Sequence, residues 1–150
     1  MKPTAVDIDR LIPHRRPMRL IDGVLEVGET TAVTTAVVNE AWPLMEGHAV
    51  SPIILIELAA QTAGICIGHR ERMGAGGDAQ GMGWLVGVKT AAFYVNSLPL
   101  GTRIVVRAAN RFNFELFTEI EAKTFVEDKK VGDIVLQVMQ SDSATEEEPK

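Results

Sequence analysis

A single carboxylate stands inside the most apolar stretch of the chain. Glu57 is flanked by Ile53, Ile54, Leu55, Ile56 and Leu58. An unpaired charge in such surroundings is costly, so the group either neutralises or finds a partner. A buried carboxylic acid kept in its protonated form can donate a proton to a leaving group. Gln61, at i+4, shares its helical face and is placed to hydrogen-bond it. The same pattern also fits a structural glutamate satisfied by a backbone group or a subunit interface. His48 precedes Glu57 in the loop leading into the apolar segment. A histidine near a helix N-terminus, with a carboxyl beyond it, can form a base–acid pair. Free N–H groups at that terminus can polarise a carbonyl. From position alone, a solvated loop histidine is the plainer reading of His48.

The other reactive side chains carry weaker signals. His14 lies in Pro13-His14-Arg15-Arg16-Pro17-Met18, a basic turn bracketed by prolines. It reads either as a turn that fixes the entry into the first strand or as a basic docking surface. His69 suits the helix C-terminal dipole, and Cys66 reads as an inert core thiol. One cysteine excludes an intrachain disulfide and a cysteine-only zinc site. The three histidines have no metal-ligand spacing, so neither a metal nor another cofactor is expected. GAGGDAQG lacks the Gly-Lys-Ser/Thr ending of a phosphate loop. No Gly-x-Ser-x-Gly elbow or His-Glu-x-x-His motif is present.

These groups need a frame, and 150 residues are enough for one core. Apolar residues make up 46% and charged residues 23%, as in an ordinary globular domain. The net charge is −5, and Asp142, Glu146, Glu147 and Glu148 concentrate it at the C-terminus. The nearly neutral body gives no reason to expect nucleic-acid binding. Arg10, Arg15, Arg16 and Arg19 form the one local basic cluster. The N-terminus has no apolar targeting region. The stretch Ile53–Gly68 would span about 24 Å as a helix, short of a ~30 Å bilayer core. With Glu57 and Gln61 inside it, a membrane span is not expected. The absence of a leader and the single thiol point to a reducing, cytoplasmic location.

The coarse organisation is one domain over residues 1–139 and an acidic, flexible tail over 140–150. Thr4 is the expected N-cap of a short helix ending near Leu11, stopped by Pro13. Met18–Val27 and Thr30–Val38 read as strands. The segment Glu40–Ser51 reads as a loop. Ser51 and Pro52 mark the start of the long helix, which runs to about Arg72. Gly74–Gly81 reads as a flexible break. Met82–Val95 follows as a strand, with a bulge expected at Gly87. Leu98-Pro99-Leu100-Gly101 turns the chain. In Thr102–Phe112, Ile104, Val106, Ala108 and Phe112 alternate with arginines. In Asn113–Phe125, Phe114, Leu116, Ile120 and Ala122 alternate with glutamates. This period of two predicts half-buried antiparallel strands with Arg–Glu pairing across the outer face. Val131–Met139 closes the series. The order predicts an α+β layer fold. A helix apolar nearly all round requires a sheet that curls around it or a second subunit.

Several of these motifs together carry a resemblance. Ile12–Val24 is similar to the opening Leu-Pro-His-Arg-x-Pro-Phe-Leu-Leu-(Val/Ile)-Asp-Arg-Val of β-hydroxyacyl–acyl carrier protein dehydratases. Gly47-His48 matches their loop Gly-His. Glu57-Leu58-Ala59-Ala60-Gln61 matches their helix motif, and Trp84–Gly101 resembles their strand ending in Val-x-Pro-Gly. A divergent branch linked to polyene-type pigment pathways, with a Pro-His-Arg-x-Pro-Met opening and an altered loop, is also similar. The resemblance implies the hot-dog fold, a curled antiparallel sheet wrapped around one long central helix. It implies that His48 takes the α-proton of a 3-hydroxyacyl thioester on acyl carrier protein, and that Glu57 helps the β-hydroxyl leave as water. It further implies a homodimer, or a multiple of dimers, with the two residues supplied by different subunits.

In that frame Ile53 and Gln61 are substrate-side residues, with backbone N–H groups near Ile53 facing the thioester carbonyl. Acyl carrier proteins are acidic, so Arg15 and Arg16 become candidate carrier-docking residues; local pairing with Asp7, Asp9 and Asp22 is the alternative. Two departures stand out. The stretch Gly47-His48-Ala49-Val50-Ser51-Pro52-Ile53 is shorter than in the family, and Ile53 replaces a glycine. A hot-dog thioesterase, in which the carboxylate activates water, and a non-catalytic acyl-binding scaffold are the other functions compatible with these residues.

Overall fold

Eleven elements follow one another in a computed structural model that describes residues 3–74, 82–115 and 117–141. They are α1 (Ile8–Leu11), β1 (Gly23–Val27), β2 (Thr31–Val37), β3 (Met45–Glu46), β4 (Ala49–Val50) and α2 (Ile54–Gly74). Then come β5 (Met82–Phe93), β6 (Leu98–Pro99), β7 (Arg103–Phe114), β8 (Phe117–Val126) and β9 (Lys129–Ser141). The main sheet is antiparallel with six strands in the order β1-β2-β7-β8-β9-β5. This is the hot-dog arrangement expected of an α+β chain with one long helix.

The sheet's inner face is set by the period of two. Ile104, Val106 and Ala108 of β7 and Ile120 and Ala122 of β8 are buried, as are Ile134, Leu136 and Val138 of β9. They meet Ile54, Leu55, Leu58, Ala59, Ile65 and Cys66 of α2 in one core. Burying this many large aliphatic side chains, at about 25 cal/mol per Å² of apolar surface, holds the helix in the sheet. The alternation fails beyond a register shift between Asn110 and Phe112. A shift of one residue turns side chains to the other face, and Phe112 and Phe114, expected inside, are exposed. The outer-face pairing is narrower than expected. Arg111 lies 3.6 Å from Glu119, which also binds Lys89 at 3.2 Å. Arg103 instead donates to Thr35 Oγ1, and Arg107 stands opposite Lys123. The register shift between Leu85 and Gly87 matches the expected bulge. Leu116, residues 75–81 of the Gly-rich break and residues 142–150 of the tail lie outside the described residues, while Gln140 and Ser141, read as tail, end β9.

Three other differences from the sequence reading have physical causes. The first helix is capped by Asp7, whose carboxylate accepts from Asp9 N, and not by Thr4. Thr4 instead donates its N–H to Val24 O. The first strand begins at Gly23 rather than Met18, because the backbone groups of Met18 and Leu20 bond to the Gln61 side chain. A backbone group spent on such a partner is lost to the ladder. The segment read as a loop over Glu40–Ser51 contains β3 and β4, which join β6 in a second, three-stranded sheet.

Candidate active site

Helix α2 is opened by a tight turn. Ser51 Oγ accepts from Ile53 N at 3.3 Å. The N–H groups of Ile54, Leu55 and Ile56 donate to the carbonyls of Ser51, Pro52 and Ile53. These i→i+3 bonds are the 3₁₀ solution to the unpaired donors of a helix start. They also occupy the N–H groups expected to be free there. Only a long bond holds the Ile53 N–H, and its side chain is exposed.

One turn later Glu57 reaches the surface. Its side chain is 39% exposed, so burial is not what controls it. Hydrogen bonds do. Gln61 Nε2 donates to Glu57 Oε2 at 2.9 Å and to Met18 O at 2.9 Å, while Gln61 Oε1 accepts from Leu20 N at 2.9 Å. Gln61 is completely buried, and this network permits only one orientation of its amide. A second group also meets the same oxygen: His14 Nε2 lies 3.3 Å from Glu57 Oε2. His14 Nδ1 is buried without a protein partner, so among the described residues Glu57 is the imidazole's polar contact.

The N-terminal segment is laid along α2 by close packing. A Cβ on Gly68 would stand 2.6 Å from Leu11 O, and one on Gly64 would stand 2.8 Å from Ile12 Cγ2. Gly68, Gly64, Gln61 and Glu57 follow one helical face. Against it run Leu11, Ile12, His14 and Met18. The histidine missed as a site residue therefore reaches Glu57 through the close packing of its segment on α2. The two glycines inside an otherwise apolar helix were the signal, since such glycines mark a close approach.

His48 occupies a different place. Met45 pairs with Val50 and Glu46 with Ala49, so Gly47-His48 is a two-residue hairpin loop. Gly47 has φ +67, the left-handed conformation that such loops require and glycine permits. The His48 carbonyl accepts from Leu100 N at 2.7 Å, and the residue is exposed. The hairpin is pinned to the turn before β7, where Gly101 at φ +87 makes the reversal. Within the chain, the structure brings Glu57, Gln61 and His14 together and holds His48 at the hairpin tip.

The arginines build the turn between α1 and β1. Arg15 donates to the carbonyls of Asp9, Ile12 and His14. Arg16 binds Asp22 at 2.7 Å and Arg19 binds Asp9 at 3.0 Å. This is the local pairing that stood as the alternative to docking. Among the described residues no cluster of three His, Cys, Asp or Glu could hold a metal, and no helix is long and apolar enough to cross a membrane.

A family model described as ApeP-like, ApeP dehydratase, matches residues 6–148. The chain belongs to the ApeP-like dehydratase family. Among curated relatives, 3-hydroxyacyl-acyl-carrier-protein dehydratase FabZ of Streptococcus pneumoniae is 42% identical over 66 residues, 39% of this chain and 46% of the relative. The chain thus spans less than half the length of the curated relatives it matches. Among solved structures, the dehydratase heterocomplex ApeI:P from Xenorhabdus doucetiae superposes with a TM-score of 0.81 at 20% identity. The match covers 94% of this chain and 95% of that one. A hypothetical thioesterase protein with coenzyme A from Streptococcus pneumoniae gives 0.59 at 10% identity, over 79% and 84% of the two chains. At these identities the likeness is one of fold. For a member of the ApeP-like family, the Glu57 constellation is the natural place to look for proton transfer.

Proposed function

We propose that the protein removes water from a 3-hydroxyacyl thioester carried on acyl carrier protein, giving the trans-2-enoyl thioester. The carrying observation is the Glu57 carboxyl. Its Oε2 accepts from a fully buried amide, and the side chain remains 39% exposed beside the exposed Met18 and Ile53. With Oε2 taken by the Gln61 N–H, Oε1 is the oxygen left to hand over a proton. Oε1 is then the acid that protonates the departing β-hydroxyl. A base removes the α-proton, the C–O bond breaks, and its electrons leave with the water as the double bond forms. His48 is that base, supplied by a second copy of the chain. Its exposed place at a hairpin tip, and its absence from the intrachain contacts of Glu57, support this reading. Ile53 lines the entry of the acyl chain. The docking role of Arg15 and Arg16 rests on their charge and partial exposure alone. A cytoplasmic setting suits a chain whose one cysteine is a buried free thiol.

Assembly and residue roles are tested together by complementation. Glu57→Gln and His48→Gln are each expected to fold and to lose turnover. Mixed and re-associated, the two inactive proteins form hybrids with one intact site. A random dimer population then regains roughly a quarter of wild-type activity. No recovery on mixing, with both proteins folded and dimeric, would place the two residues in one chain or remove one from the reaction.

A further inference from the structure

We propose that His14 is a positioning residue for Glu57, supplied by the same chain. The inference rests on the reading of Glu57 as the acid. Three observations carry it. His14 Nε2 stands 3.3 Å from Glu57 Oε2, the oxygen that Gln61 already engages. The imidazole makes no other polar contact among the described residues, its Nδ1 being buried and unpartnered, so no competing hydrogen bond accounts for its orientation. The segment that presents it packs closely on α2 at Gly68 and Gly64, and two of its backbone groups are held by Gln61. A carboxyl rotates about its last torsion unless both sides of one oxygen are engaged. Gln61 approaches Oε2 from within its own helix, and His14 approaches from the packed N-terminal turn. With a proton on Nε2, a small turn of the ring would let both groups donate to Oε2. Oε1 is then the oxygen left to hand a proton to the substrate. His14 itself neither gains nor loses a proton in the cycle, which separates it from the base.

The test uses the full chain with 3-hydroxyacyl carrier protein as substrate and compares His14→Ala with His14→Gln. The glutamine amide can place an N–H donor near the position of Nε2. His14→Ala is expected to lower kcat about tenfold, the equivalent of one ordinary hydrogen bond, with KM little changed. His14→Gln is expected to recover most of the loss. A glutamine variant as impaired as the alanine variant would overturn the proposal, because ring chemistry and not donation would then be at work. Wild-type kcat in His14→Ala, whatever its melting temperature, would overturn it too. A second readout separates this inference from the proposed reaction. Nitrogen-15 spectra of the imidazole should show His14 protonated on Nε2, and its Nε2 signal should move in Glu57→Ala while the His69 signals stay in place. Spectra of His14 that ignore Glu57→Ala would remove the contact itself. Absence of wild-type dehydration with the contact intact would remove the reaction and leave the pairing standing.

Discussion

Glu57 and Gln61 could be paired from sequence because i and i+4 share a helical face. What could not be read was the source of the control. The apolar neighbours implied burial, yet Ile53 is exposed and the carboxyl is held by a hydrogen bond from Gln61, with His14 Nε2 3.3 Å from the same oxygen. His14 is invisible to local pattern because its approach depends on contacts between residues far apart in the chain. Cys66 illustrates the opposite case, a residue whose plain reading holds. Burial pushes its thiol above the ordinary value, and the nearby Arg70 charge pulls it down by less. Such a group favours the folded state fully below the unfolded thiol pKa, and that contribution is lost as pH rises through the raised folded value. A thiol reagent at mildly alkaline pH should therefore label native Cys66 far more slowly than the urea-unfolded chain, about a hundredfold or more. Equal rates in the two states would contradict the burial of α2 at this point.

At the level of elements, the strands β7 and β8 were legible because their buried residues alternate, β2 because it is rich in β-branched residues, and α2 because its apolar run is too long for a strand. The start of β1 was overextended, since nothing in Met18–Asp22 shows that Gln61 takes the backbone groups of Met18 and Leu20. The small sheet of β3, β4 and β6 was missed for another reason. Two-residue strands have no period to read, and only Gly47 hinted at the hairpin. The packing of the N-terminal segment on α2 gives a direct test. Gly68→Ala should raise helix propensity by about 1 kcal/mol in isolation. In the protein its Cβ would meet Leu11 O at 2.6 Å and Leu11 Cα at 3.2 Å, backbone atoms that cannot rotate aside. The expected result is a net destabilisation of about 1–3 kcal/mol by denaturant melting, the range of an overpacked core. Gly64→Ala, which meets the Cγ2 methyl of the Ile12 side chain and no backbone atom, should cost less. A more stable Gly68→Ala would show that the segment does not sit where the structure places it.

For the molecule as a whole, the sheet of β1-β2-β7-β8-β9-β5 covers most of α2, and the N-terminal segment covers part of the rest. The sequence required either a curled sheet or a second subunit, and the sheet accounts for most of that burial. Ile53, just before α2, and Ile56 and Ala60 on it stay at least partly open, and the exposed residues 88–92 of β5 lie on a strand at the sheet's edge. An uncovered edge strand invites another copy. The reaction could not be read from the fold, because dehydratase and thioesterase structures superpose on the same frame. The chemistry is decided by what leaves. Purified protein should be incubated with 3-hydroxyacyl carrier proteins and the carrier-bound species weighed by intact mass spectrometry. Dehydration predicts that the acyl group stays on the carrier and loses one water, with no change when Glu57→Gln is used instead. Release of free hydroxy acid, leaving bare carrier, would contradict it and make the same carboxyl a hydrolytic base.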